Sequence, residues 1–321
     1  MTPLTTYSDS AAAFAYMSRT NLRFMYSLRD GYKNLSYVHA NVLAARDSPS
    51  LFSYWAADEP DGWQDPFHLP LQAHKLLKAL DPYHPTTLTL NCQDYFFPAY
   101  SLSVDFLMTD PYPIGINATY SKWGTPCNAS YGDCGCDNCA GTVQDVPGRL
   151  DDYAKYERWL GRLGKTKVLN PQAFWGEGYW MREPSVEESW VMVLLGVNHG
   201  AKGMVAWVWP TSAELGRAHG ELARVLTGEE AAGFVVAGQG PRRIGAAVVD
   251  VACWVKAGRM LVSVVNGGYV DVERVEVPVG SATVIESVPW GNVEWRLEGG
   301  RLSVPLLPAL ATSLVVLQLR G

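Results

Sequence analysis

The chain has 321 residues, a net charge of −6, and 48% hydrophobic against 18% charged residues. That balance describes a globular protein with a sizeable core and excludes a disordered one. An acidic chain without any Lys/Arg run is not expected to bind nucleic acid, and no apolar run is long enough to span a membrane.

Strand-like and helix-like segments alternate through the first two thirds. Periodicity predicts helices over 8–19, 35–46, 70–80, 150–163, 186–197 and 213–226. It predicts strands over 22–27, 51–57, 86–91, 104–109, 167–174 and 203–209. The alternation implies right-handed βαβ units and a parallel sheet or barrel. Neither G-x-G-x-x-G nor a P-loop follows any of these strands, so nucleotide binding has no support.

The stretch LFSYWAA over 51–57 is apolar on both faces and runs straight into Asp58-Glu59-Pro60. Acid followed by proline often caps a helix. Here it ends a buried strand, where barrels and open α/β sheets carry their catalytic groups. Asp30, Asn91, Asp110, Tyr112, Gln172, Trp175, Trp207 and Trp209 fall at or near other strand ends. Each alone reads as a cap or a core residue, but a barrel would gather them over one face.

Cys127, Cys134, Cys136 and Cys139 crowd one Gly/Asn/Asp-rich loop, and Asn34, Asn117 and Asn128 open N-glycosylation sequons. A zinc knot would use the Cys136-Asp-Asn-Cys139 spacing, but no second CxxC and no nearby histidine complete one. The four cysteines are therefore disulfide candidates of a secreted protein, with the pairing open. The first ten residues hold no apolar leader segment.

From residue 235 the helical period stops. Alternating Val-rich segments over 244–251, 260–265, 270–277, 282–288, 293–297, 302–306 and 313–319 predict an antiparallel β-sandwich. The expected boundary is 228–240, separating a barrel-like domain over 1–230 from a sandwich over 235–321.

Four segments, LFSYWAADEPD, FLMTDPYPI, VLNPQAFWGEGYW and EESWVMVLLGVNHGAKGMVAWVWP, resemble those of fungal-type secreted glycoside hydrolases. These are retaining barrel glycosidases with a (β/α)8 TIM barrel and a C-terminal β-sandwich. The resemblance makes 51–59 the fourth barrel strand, with Glu59 the general acid/base at an Asn-Glu-Pro position where Asp58 replaces the asparagine. It implies a glutamate nucleophile on the seventh strand, but this chain offers Gln172 there. Glu177 and Asp110 are the candidates for that second carboxylate, and Asp110 working across a wide gap would make the enzyme inverting. Tyr112, Trp175, Trp207 and Trp209 would wall the sugar subsites, with Asn91, Gln172 and Asp58 as polar contacts. Trp207 and Trp209, alternating along one strand, would share its inner side.

The implied function is hydrolysis of a poly- or oligosaccharide, with carbohydrate as the partner and no cofactor or metal. A carbohydrate-binding barrel with impaired chemistry is the alternative. An ester hydrolase lacks its G-x-S-x-G elbow. Only six strands precede residue 210, where a closed TIM barrel has eight. The expectation is an incomplete barrel of about six βα units. The chain would then begin inside a longer product that carried the first two strands and the secretion signal. Its open edges would need a cover such as a second copy, and hydrolysis would be weak.

Overall fold

The computed structural model describes residues 7–117, 119–120, 126, 136–162, 164–244 and 249–320. Its first two thirds alternate as predicted, through α1 (Tyr7–Arg19), β1 (Phe24–Ser27), α2 (Leu35–Ala45), β2 (Leu51–Asp58), α3 (His68–Leu80) and β3 (Thr86–Leu90). There follow α4 (Phe97–Tyr100), β4 (Phe106–Thr109), α5 (Asp145–Trp159), β5 (Lys167–Leu169), α6 (Val186–Asn198), β6 (Ala201–Met204) and α7 (Ala213–Leu226). The parallel sheet has six strands in chain order, the number expected from the sequence. Among the described residues it is part of a half-barrel rather than a closed barrel.

The chain folds as two compact units. One comprises Met1–Pro111, Ala118–Asn138 and Asp152–Asn170, and the other Tyr112–Asn117, Cys139–Asp151 and Pro171–Gly321.

In the first unit, β1 to β4 are buried nearly throughout, as strands covered on both faces must be. Phe24, Tyr26, Tyr54, Leu88, Leu90 and Leu107 form their core with Val38 and Val42 of α2 and Leu77 of α3. Asn34 caps α2, its side chain accepting from the Ser36 and Tyr37 amides at 3.0 and 3.3 Å. The strands are in register at their carboxyl ends, where Asp58 pairs with Thr89 and Leu90 with Thr109. The residues that follow β2, β3 and β4 therefore emerge at one end of the sheet. These residues are Glu59, Asn91 and Asp110.

The second unit contains α8 (Glu229–Ala237), β7 (Gln239–Arg243), β8 (Val249–Lys256), β9 (Arg259–Asn266), β10 (Val272–Pro278) and β11 (Ala282–Trp290). It closes with β12 (Arg296–Glu298), β13 (Arg301–Leu307) and β14 (Thr312–Leu319). One antiparallel sheet runs β11-β14-β9-β8-β7 and the other β10-β13-β12. Val262, Val264, Val275, Val277, Leu302, Val315 and Leu317 bury between them, so the sandwich has one shared core.

Three elements differ from expectation. The strand predicted over 167–174 ends at Leu169, because Pro171 has no N–H to pair. The strand predicted over 203–209 runs Ala201–Met204 instead. Pairing resumes only as a single bridge between Gln172 and Trp207, so strand alternation does not set the side-chain directions of Trp207 and Trp209. The stretch expected to hold the domain boundary carries α8, started by Gly228 with Glu229 and Glu230 in its first turn.

Candidate active site

Asp58 is the last residue of β2, and the chain turns immediately behind it. Glu59 makes that turn at φ 46°, a left-handed conformation that a residue before proline rarely adopts. It is held from both sides: its N–H donates to the Thr89 carbonyl at 3.0 Å and its carbonyl accepts from the Trp63 N–H at 3.0 Å. The Asn91 amide, just past β3, donates to Glu59 Oε1 at 3.0 Å. The carboxyl of Asp110, just past β4, hydrogen-bonds that of Glu59.

Four carboxyl groups thus converge: Asp58, Glu59, Asp61 and Asp110. Asp110 is 3% exposed, and its Oδ1 is buried with no partner among the described residues. Burial, then the Glu59 charge and the bond to it, hold the Asp110 carboxyl well above the usual carboxylate range.

Burial and the neighbouring Glu59 push Asp58 up to about 7, against the pull of Arg29, whose Nη1 lies 3.4 Å from Asp58 Oδ2. The Asp58 side chain is 31% exposed, so solvent moderates that rise. Arg29 also places its guanidinium 4.9 Å from the Trp55 ring centroid and its Nε 3.7 Å from exposed Asp30. Asp61, which the sequence pattern did not single out, is 2% exposed. Its Oδ1 accepts from the Gly62 and Asn91 amides at 3.0 and 3.2 Å, and its Oδ2 from the Cys92 amide at 2.9 Å. Burial nevertheless raises it to about 7. Among the described residues no group of three or more His, Cys, Asp and Glu is arranged to hold a metal ion.

The remaining expected residues belong to the second unit. Gln172 is fully buried: its Oε1 accepts from the Ile114 N–H at 2.9 Å, and its Nε2 donates to the Ile114 and Phe174 carbonyls at 3.0 and 3.2 Å. Both amide protons are committed to backbone, which leaves no donor for a sugar. Glu177 is exposed, at φ 56° in the turn closed by the Gly176–Trp180 bridge. Tyr112 is buried against Phe174 and Trp180, with Trp207 packed on the same cluster. The Trp180 indole donates to the Tyr112 carbonyl at 2.8 Å. Trp175 and Trp209 are 63% and 66% exposed. The Trp209 ring lies over Gly216 of α7, where a Cβ would sit 3.6 Å from it.

Cys136 and Cys139 are joined in a disulfide. Asn34 and Asn117 are exposed. Cys127, Cys134 and Asn128 lie outside the described residues. No described helix is long and apolar enough to cross a membrane.

No family model matches the chain, and no curated protein matches it in sequence. Solved structures do match in fold. A family 39 glycoside hydrolase from Bacteroides cellulosilyticus WH2 aligns with a TM-score of 0.58 and 9% identity, over 98% of this chain and 71% of that one. The GH51 arabinofuranosidase from Xanthomonas axonopodis pv. citri aligns at 0.52 and 10%, over 95% and 77%. An Anoxybacillus α-amylase aligns at 0.50 and 9%, over 96% and 73%. What the chain has in common with these glycoside hydrolases is a fold, here a curled parallel half-barrel sheet followed by antiparallel sheets. At such identities the likeness is one of fold.

Proposed function

We propose that the chain is a glycoside hydrolase in which Glu59 delivers the proton to the glycosidic oxygen of a poly- or oligosaccharide. The observation that carries this reading is the meeting of Glu59, Asn91 and Asp110 at the carboxyl ends of parallel strands, with the Asn91 side-chain N–H 3.0 Å from Glu59 Oε1. A general acid must hold its proton at the working pH. A buried carboxyl pair keeps one well above the range of a lone carboxylate. As the C–O bond breaks, that proton moves from Glu59 to the leaving oxygen. The Asn91 N–H, 3.0 Å from Oε1, then stabilises the charge left behind. Water attacking the sugar returns a proton to the pair. Asp58, the most accessible of the cluster with Glu59, would face the sugar hydroxyls. The exposed Trp175 and Trp209 would be stacking surfaces for sugar rings.

A binder with impaired chemistry is the second reading, favoured by Gln172, whose neutral amide is tied to backbone where the resemblance expects a glutamate. The Cys136–Cys139 disulfide supports secretion in either case. A screen of aryl glycosides and polysaccharides for turnover, run beside binding by calorimetry, separates the two. Turnover of at least one substrate supports the hydrolase, and saturable binding without turnover supports the binder.

A further inference from the structure

Nothing in the motif that presents Glu59 explains why the turn behind it contains a buried carboxyl. Residues 59–65 fold back tightly: the Gln64 N–H donates to the Asp61 carbonyl at 3.0 Å and the Asp65 N–H to the Pro60 carbonyl at 2.8 Å. Within this turn the Asp61 side chain points away from solvent and takes three backbone N–H groups. One of them, Gly62, belongs to its own turn. The other two, Asn91 and Cys92, belong to the end of β3. A side chain that only closed a turn would have no need of the second pair. Gly62 packs on Asn91 as well, with a Cβ built there 3.6 Å from Asn91 Cβ. The Asn91 side chain then crosses back to Glu59 Oε1. The connection is a closed loop of short contacts: Glu59 to Asp61 along the chain, Asp61 to the Asn91 backbone, and the Asn91 amide to the Glu59 carboxyl.

We infer that Asp61 is a positioning residue for Glu59, fixing the Asn91 backbone so that its amide stays on the Glu59 carboxyl. The inference rests on the reading of Glu59 as the acid, but its test reads the Glu59 carboxyl without any turnover. The charged and titratable groups facing this loop are Asp58, Asp110 and Glu59 itself, with Arg29 and Asp30 near Asp58 and Tyr32, Tyr100 and Cys92 near Asp61. All are kept in the Asp61 variants.

The titration of Glu59 is followed by NMR of glutamate-labelled protein, its carboxyl signal assigned by comparison with Glu59→Gln. Two effects of removing Asp61 have opposite signs. Losing whatever negative charge Asp61 carries lowers the Glu59 midpoint, whereas losing the Asn91 donation, which favours the charged form, raises it. Asp61→Ala frees all three N–H groups and is expected to raise the midpoint by about one unit. Asp61→Asn keeps one acceptor and should give a smaller rise, and it is read alone if the alanine variant does not fold. In an Asn91→Ala background neither change should raise the midpoint further. A fall, an unchanged midpoint, or a further rise without Asn91 would each show that Asp61 does not act through Asn91, and would overturn the inference. Absence of glycosidase activity would leave this result standing.

Discussion

The carboxyl groups of Glu59 and Asp110, fifty-one positions apart in sequence, are hydrogen-bonded to one another at the ends of β2 and β4. Two carboxylates cannot occupy such a contact without a proton between them. Asp110→Asn keeps a donor for Glu59 but removes the second carboxyl. Activity at pH 7 should fall about 10- to 100-fold and recover as the medium is acidified, because Glu59 must then be protonated from solution. A pH–rate profile of kcat/KM checks this, and a profile unchanged in the variant would remove Asp110 from the proton's path.

Stability of the first unit should fall as the solution becomes alkaline. Asp58 and Asp61 both stand at about 7 when folded, above their ordinary value of 3.8. Their contribution is complete below about pH 4 and is lost as pH rises through about 7. Thermal melts at pH 5 and pH 8 should therefore differ in favour of pH 5. Asp61→Asn should flatten the slope, since Asp58 is partly exposed and contributes less.

His199 predicts a second window at higher pH. Its Nδ1 lies 2.9 Å from Asp151 and its Nε2 2.9 Å from Asp250. Burial works against the imidazolium, but the bonds to these two carboxylates outweigh it and raise the histidine above 6.5. Arg243 Nη1, 2.8 Å from His199 Nδ1, opposes the charge while sharing Asp151. The stabilisation is present below pH 6.5 and is lost as pH rises through the folded value. His199→Gln should cost about 2 kcal/mol at pH 6 and less at pH 9, measured by denaturant unfolding. An equal cost at both values would mean the ring is neutral throughout.

Gln172 and Trp209 should separate stability from binding. Gln172→Ala strands the Ile114 N–H and carbonyl in the interior, a loss of about 1 to 3 kcal/mol. Trp209→Ala removes an exposed ring and should leave the melting temperature within a few degrees while weakening oligosaccharide binding. Trp207→Ala should resemble Gln172→Ala, because Trp207 packs on the cluster of Tyr112, Phe174 and Trp180. Stability losses of similar size in Trp207→Ala and Trp209→Ala would deny Trp209 a binding role.

The strand over 51–58 was legible because seven successive residues from Leu51 carry no charge, and helix 213–226 because Leu215, Ala218 and Leu222 keep a helical spacing. The convergence of Glu59, Asn91 and Asp110 followed from their shared position after parallel strands. Other features lay beyond pattern. Asp61-Gly62 reads as an ordinary exposed turn, and only the folded chain shows three amides aimed at its carboxyl. Gln172 looks like a polar anchor at a strand end until its partners are known. Pro171 was a readable stop that the strand-like start Lys167–Leu169 masked, and the Gly228-Glu229-Glu230 start of α8 was hidden by glycines that suggested a domain boundary.

Glu59→Gln bears most directly on the proposed chemistry, because glutamine keeps the size and the Asn91 contact but has no proton to give. On whichever glycoside the unmodified protein turns over fastest, kcat should drop at least about 100-fold with the melting temperature unchanged. Retention of full activity in Glu59→Gln would contradict the assignment of the proton donor.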